Sequence, residues 1–446
     1  MERNLTSGSV WKNIVYFSLP YLLSYFLQTL YGMADLYIIG RFGDVAQTTA
    51  VSIGSQVMHM LTVMIVGLAM GSTVTIGKAV GAKRREDTAS AIGNTVTLFL
   101  GLSVLITAVL LFLVRPIVSV MSTPAEAADG TAAYLTICFI GIPFITAYNI
   151  ISSVFRGMGD SKSPMYFIAV ACGANIVLDY LFIGVLGFGP AGAALGTTLS
   201  QTISVLTAFT VIRKRETGLK LRKKDFKLQK KTAGQMLRIG IPVSLQDGFI
   251  QISFIVITVI ANRRGLNDAA AVGIVEKVIG ILFLVPSTML STVSALCAQN
   301  IGAGKHDRAA LTLRYALGIS VGFGLAASVV IQFISGNVVG CFTDDAQVIL
   351  LGGQYLRGYV WDCIFAGMHF CFSGYFCAYG RSGISFVHNV LSIVCARVPG
   401  AYLASKYFPE TLFPMGLAAP AGSLLSVLIC AGAFVWMRRQ SFAKEA

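Results

Sequence analysis

Apolar runs long enough to cross a bilayer recur along the whole chain, and few folds can accommodate them. A helix needs about 20 consecutive apolar residues to span the hydrocarbon core. Of the 446 residues, 55% are hydrophobic and only 12% are charged, where a soluble chain carries about 25% charged residues. Twelve runs can be marked, at 14–39, 49–77, 90–114, 131–155, 163–187, 190–212, 234–261, 269–298, 309–334, 348–377, 383–407 and 412–437. The fold class expected is therefore an all-α polytopic membrane protein with twelve transmembrane helices. The first run is too long for a cleavable leader, contains Pro20 and Asp35, and has no small-residue cleavage site after it. The 46 glycines agree with close helix packing in lipid, and Gly67/Gly71, Gly77/Gly81 and Gly318/Gly322 have the small-xxx-small spacing.

The net charge of +14 would suggest nucleic acid in a soluble protein. Here its placement decides. With an even number of spans and both ends inside, most of the 34 Lys and Arg residues fall in cytoplasmic segments, among them Arg3, Lys12, Lys83, Arg84, Arg85, Lys305, Arg308, Arg438, Arg439 and Lys444. The positive-inside rule accounts for that excess and puts both termini in the cytoplasm. The expected partners are membrane lipid and small molecules, with no nucleic acid. The nine cysteines form no CxxC, so small buried apolar roles outweigh a disulfide framework or a metal site.

The sequence says nearly the same thing twice. Gly81-Ala82-Lys83-Arg84-Arg85-Glu86 returns as Gly302-Ala303-Gly304-Lys305-His306-Asp307, and Tyr134-Leu135 returns as Tyr355-Leu356, both at an offset of 221. Pro20 matches Pro242, and Gly196-x-x-Leu199-Ser200 matches Gly422-x-x-Leu425-Ser426. The basic stretch from Arg213 to Lys231, which includes Arg215 and Lys220, divides the runs six and six. The organisation expected is an N-terminal six-helix lobe at 1–212, a cytoplasmic basic linker at 213–233 and a C-terminal six-helix lobe at 234–446. The linker could also form a short amphipathic surface helix. Two repeated lobes in one chain suit a transporter that works as a monomer.

Five acids lie inside the apolar runs: Asp35, Asp179, Asp247, Glu276 and Asp362. Each charge at a helix centre costs about 2.5–3.5 kcal/mol on insertion scales, so such residues face a cavity or a partner. Gln28, Tyr31 and Asp35 share one face of the first helix. Asn175 and Asp179 share one face of the fifth, as Asn149 and Ser152 do on the fourth. Thr197 adds a hydroxyl on the sixth. If these faces converge, the first lobe holds two carboxylates, amide oxygens and a hydroxyl. That set suits a hard cation such as Na⁺, which takes oxygen ligands, and equally a proton shared by a carboxylate pair. A lone amide or hydroxyl such as Asn175 or Thr197 more often simply bonds across helices. The repeat partners of Asp35, Asn175 and Asp179 are Ile257, Ala396 and Gly400, so the second lobe lacks this set; only Thr197 keeps a hydroxyl partner, Ser423. Asp247 and Asp362 are expected as cavity lining or substrate contacts, with Asp362 near the outer end of its span. Glu276 and Lys277 point apart on their helix. Pro20 removes a backbone hydrogen bond from the helix carrying Asp35 and is the expected hinge.

Phe155-Arg156-Gly157-Met158-Gly159-Asp160-Ser161-Lys162-Ser163-Pro164, Gln299-Asn300-Ile301-Gly302-Ala303-Gly304-Lys305, Asn175-Ile176-Val177-Leu178-Asp179 and Gly189-Pro190-Ala191-Gly192-Ala193-Ala194 together resemble the multidrug and toxic compound extrusion (MATE) family, over nearly the whole chain. The resemblance is to the prokaryotic DinF-type branch. It implies two six-helix bundles and export of amphipathic, often cationic compounds in exchange for Na⁺ or H⁺, without a cofactor. It also implies a first-lobe cation site at Asp35, Asn175, Asp179 and Thr197, cavity positions at Gln28, Tyr31 and Asn149, and a kinking proline at Pro20. The NorM-type branch places acids on the seventh and tenth helices, where Ile250 and Ala366 stand here.

The function expected is secondary antiport in the plasma membrane. The alternative on the same fold is a flippase or exporter of a lipid-linked or other endogenous metabolite, which the concentration of bases in cytoplasmic loops disfavours. An enzyme is not expected: the chain has no HExxH, nucleophile elbow or P-loop, and His59, His306, His369 and His388 are scattered. Alkaline phosphatase fused after Lys444 should stay inactive in whole cells and one fused after Glu126 should be active; the reverse pattern would invert the topology.

Overall fold

The computed structural model describes residues 4–214 and 221–445, with side chains described to Arg439. Arg3, Arg215 and Lys220, and the side chain of Lys444, lie outside the described residues. Every described apolar run is helical, as backbone in lipid must be if it is to satisfy its own hydrogen bonds. The first half comprises α1 (Val10–Phe42), α2 (Val45–Gly81), α3 (Arg85–Val120), α4 (Ala125–Ile140), α5 (Ile142–Gly157), α6 (Lys162–Asp179) and α7 (Gly189–Lys214). The second comprises α8 (Lys230–Asn262), α9 (Leu266–Leu282), α10 (Leu284–Gly302), α11 (His306–Gly340), α12 (Ala346–Tyr359), α13 (Asp362–Ala378), α14 (Ser382–Ser392), α15 (Val398–Tyr407) and α16 (Phe413–Glu445).

Among the described residues, ten segments are each long and apolar enough to span a membrane, with α9 and α10 counted as one, Leu266–Gly302. An eleventh is α4 with α5, bent by 48°. The remaining expected run, 348–377, is α12 followed by α13. Two of these breaks have a proline as cause. Pro143 stands in the first turn of α5 just past Gly141, and Pro286 in the first turn of α10 just past Phe283; each withholds an N–H from the preceding helix. The helix α1 continues unbroken through Pro20.

The described residues of Met1–Leu5 and Tyr16–Gly240 make one compact unit, and those of Thr6–Val15 and Ile241–Ala446 make the other. In the first unit α2 packs on α4 and α5, and α6 on α7. Its core includes Ile38, Val51, Tyr134, Leu135, Phe139 and Ile142. In the second unit α13 packs on α10, α11 and α16, and α12 on α16. The large rings Phe112 and Phe333 are 86% and 80% exposed, as side chains facing lipid would be.

The first turns of α1 thus belong with the second unit, and those of α8 with the first. Within the second unit Lys305 Nζ donates to Thr6 O and Arg308 Nη2 to Ser7 O, both at 2.8 Å. Within the first, the segment before α8 is pinned along α3. The Gln229 N–H donates to Asn94 Oδ1 at 2.6 Å, Asn94 Nδ2 to Asp225 O at 3.3 Å and Thr97 Oγ1 to Phe226 O at 2.8 Å. The described part of the basic stretch is therefore a docked strap with a short 3-10 turn, Lys223–Phe226.

Glycine sets the closest approach. A Cβ on Gly71 would lie 2.0 Å from the Met236 carbonyl oxygen of α8, and one on Gly240 would lie 2.3 Å from that of Leu68 on α2. The Gly318/Gly322 pair of α11 has nothing within 4 Å, so spacing alone did not identify a packing motif. Gly71→Leu should destabilise the protein by at least about 1–3 kcal/mol and lower its melting temperature in detergent. Gly318→Ala should stay within about 0.5 kcal/mol. Equal melting temperatures for the two variants would refute this packing account.

Candidate functional site

Asp35 lies about two turns before the end of α1, Asn175 and Asp179 are one turn apart on α6, and Thr197 is in the third turn of α7. The first unit brings all four together. Thr197 Oγ1 donates to Asp35 Oδ2 at 3.1 Å. Asp179 and Asn175 are the next polar neighbours of Asp35. Asp35 is 3% exposed, and Asn175 and Asp179 are fully enclosed.

The backbone is shaped to permit this. At Asp179 the α-helix gives way to a π turn, Tyr180–Val185, an insertion found frequently at functional sites. Across from it stands Gly196 of α7. A Cβ there would come within 2.0 Å of Asp179 Oδ1, so the carboxylate occupies the space where any other residue would have its side chain.

Among the described residues, Asp35 Oδ1, both Asp179 oxygens, and Asn175 Oδ1 and Nδ2 have no hydrogen-bond partner within the protein. Buried polar atoms are normally paired. Two carboxylates this close in an apolar unit cannot both remain ionised without a positive charge between them. The oxygens fit a proton or a monovalent cation. No group of three or more His, Cys, Asp or Glu side chains suited to a transition metal occurs among the described residues.

The other first-lobe residues are placed less uniformly. Tyr31 is half-buried beside Gln201 and Asp35, and Gln28 lies near Tyr148. Asn149 is buried, but its Nδ2 donates to Ile145 O at 2.9 Å within its own helix. Ser152 is fully buried, and its Oγ has no partner among the described residues. Ser24 Oγ donates to Pro20 O at 2.9 Å, which ties down the proline's own carbonyl.

The other three acids of the apolar runs belong to the second unit. Asp247 is half-buried on α8. Thr258 Oγ1 lies 3.2 Å and 3.3 Å from the two Glu276 carboxylate oxygens. Asp362 is fully buried at the start of α13. Reasoning from sequence missed Gly196, Tyr148 and Gln201 as site neighbours, and it missed Arg397. A lone arginine in the apolar run 383–407 was a visible signal, but its repeat partner is the uncharged Ile176.

Comparison with known proteins identifies the family. The MatE family model matches residues 20–181 and again 242–403, so each copy begins at a repeated proline. The chain is 28% identical over 441 residues to YoeA of Bacillus subtilis, named a probable multidrug resistance protein, covering 97% of this chain and 95% of the relative. It is 29% identical over 415 residues to YpnP of the same organism, also named a probable multidrug resistance protein, covering 93% of each. Its fold is that of a MATE protein crystallised in complex with MaL6, with a TM-score of 0.90, 24% identity and 99% of both chains covered.

Gly196→Ala should push Asp179 out of place and weaken cation or proton binding at least about tenfold, a loss of about 1.4 kcal/mol. Gly173→Ala, on the same helix as Asp179 but with nothing within 4 Å, is the control. Binding titrations on the purified variants check this, and equal affinities would refute it.

Proposed function

This chain belongs to the MatE family, so it is a multi-pass membrane transporter and not an enzyme, and we propose that it exports amphipathic or cationic small molecules in exchange for Na⁺ or H⁺. The carrying observation is the pair of buried carboxylates, Asp35 and Asp179, held together in the first lobe and without counterparts in the second. The multidrug-resistance names of its relatives support the substrate class. The positive-inside distribution supports a cell-membrane protein with both termini cytoplasmic. The single-chain duplication supports a monomer.

In this reading the coupling ion enters between Asp35 and Asp179, with Thr197 and Asn175 completing its oxygen shell. Thr197 orients Asp35 through its hydroxyl, and Gly196 gives Asp179 room to approach. The ion cancels the repulsion between the two carboxylates and draws α1 toward α6 and α7. Pro20, fifteen residues before Asp35 on α1, is where that helix yields most readily, because the bond its N–H would make is absent. Gln28, Tyr31, Asn149 and Ser152 line the substrate side of the first lobe, with Asp247 and Asp362 serving the second. Ion and substrate act on each other only through their different affinities for the two states of the protein.

Asp35→Asn in proteoliposomes should reduce ion-driven export of a cationic dye at least about tenfold, or about 1.4 kcal/mol of transition-state stabilisation. Imposing the Na⁺ gradient and the pH gradient separately identifies the ion. Undiminished export by the variant would remove Asp35 from the coupling site.

A further inference from the structure

The last helix, α16, has two unlike faces. On one, Val427, Cys430 and Met437 are buried, and Phe434 beside them meets Phe372 and Tyr375 of α13 at ring-centroid distances of 5.9 Å and 5.4 Å. On the other, Leu424, Leu428, Val435 and Trp436 are exposed. Leu424, Leu428, Gly432, Val435 and Arg439 follow helical spacing, so they form one stripe along a segment apolar enough to span a membrane, Phe413–Arg439. Exposed apolar side chains on such a segment meet acyl chains rather than water.

The stripe is hollowed near its C-terminal end. Ala431, Gly432, Val435, Trp436 and Arg439 line an open groove of about 440 Å³, and a Cβ on Gly432 would have nothing within 4 Å. One end of the groove is aromatic and cationic. Arg439 lines it. Arg381, just before the first turn of α14, sets its guanidinium carbon 4.9 Å from the Trp436 ring centroid, a stacking that orients the planar group. The neighbouring Arg438 is engaged elsewhere, with Nη2 3.7 Å from Asp307 Oδ1. No acid is among the described residues that line the groove.

We propose that this groove holds one anionic phospholipid, with an acyl chain along Leu428, Gly432 and Val435 and the phosphate between Arg381 and Arg439. Tryptophan settles at the boundary between acyl chains and headgroups, which puts the phosphate level with both guanidiniums. Arginine matches phosphate oxygens with a rigid fork of donors. A zwitterionic lipid brings its own ammonium against two cations and fits less well. A second copy of the chain packed through the same face would set its Arg439 against this one, so like charges would meet. The phospholipid ties α16 to the turn before α14, a link that the side chains of the groove leave to a ligand.

The chain has three tryptophans, Trp11, Trp361 and Trp436, so Trp11→Phe/Trp361→Phe leaves Trp436 as the sole reporter. The full-length reporter protein is placed in phosphatidylcholine vesicles that contain a fixed minor fraction of lipid brominated on its chains. Brominated phosphatidylglycerol should quench Trp436 more than brominated phosphatidylcholine does. Arg381→Gln/Arg439→Gln should lower the relative affinity for phosphatidylglycerol by at least about fivefold, the effect of one cation near an anionic surface. Gly432→Leu, which has room for its side chain, should displace the acyl chain and reduce quenching by phosphatidylglycerol. Arg213→Gln/Lys214→Gln removes the same charge from the end of α7 and should leave the preference unchanged. Equal quenching by the two lipids in the reporter protein overturns the proposal, and so does an equal loss of preference in the Arg213→Gln/Lys214→Gln control, which would trace it to the general positive field. Should the reporter protein not fold, native mass spectrometry of the unaltered chain decides. One phosphatidylglycerol retained per chain and lost in Arg381→Gln/Arg439→Gln supports the groove. Retention by that variant, displacement by inorganic phosphate, or a dimer in place of the lipid refutes it.

Discussion

A carboxylate enclosed by apolar helices has to be neutralised close at hand, by a proton, a metal ion or a fixed positive group. The π turns of this molecule occur beside buried charged residues, Asp179 and Arg397, and glycines face both residues. Elsewhere, apart from the breaks before α5, α10 and α13, the helices pack by ordinary apolar contact, with Tyr134, Leu135 and Phe139 in one unit and Tyr355, Leu356 and Tyr359 in the other. Tyr134-Leu135 and Tyr355-Leu356 are repeat partners. The duplication thus supplied two equivalent frames, and the charged centres are where they diverged.

Divergence of this kind gives the two halves different tasks without changing their packing. The first keeps two acids and an amide with polar atoms that no other described residue pairs. The second keeps acids as well, but there Thr258 contacts Glu276, and a buried arginine, Arg397, is held by Tyr359 and the Phe254 ring.

The helical class and the duplication were legible because both are written in local patterns: hydropathy over some twenty residues and motifs at fixed offset. The meeting of Asp35, Asn175, Asp179 and Thr197 was legible because helical periodicity puts each on a definite face, and the cost of burying them demands a common partner. Breaks within spans were less legible. Pro143 and Pro286 stood in plain view, but whether a proline bends a helix or ends it depends on the packing around it. Arg397 was hidden by a different mechanism. A π turn shifts the helix face, so the residue opposite Gly422, the repeat partner of Gly196, is not the one that repeat offset names. Gly196 was quoted as part of a repeat, but the space it leaves is a property of two helices and cannot be read from one.

That space has a mechanical consequence. The Asp179 carboxylate fills the volume of a missing methyl group between α6 and α7, so in the proposed coupling the separation of those helices and the strength of ion binding are a single variable. On that reading an ion that tightens the site draws the helices together, and anything that wedges them apart loosens the ion to the same extent. The first lobe would then work as a calliper: its jaws are two helices, its contact point is one carboxylate, and its reading is the ion's affinity.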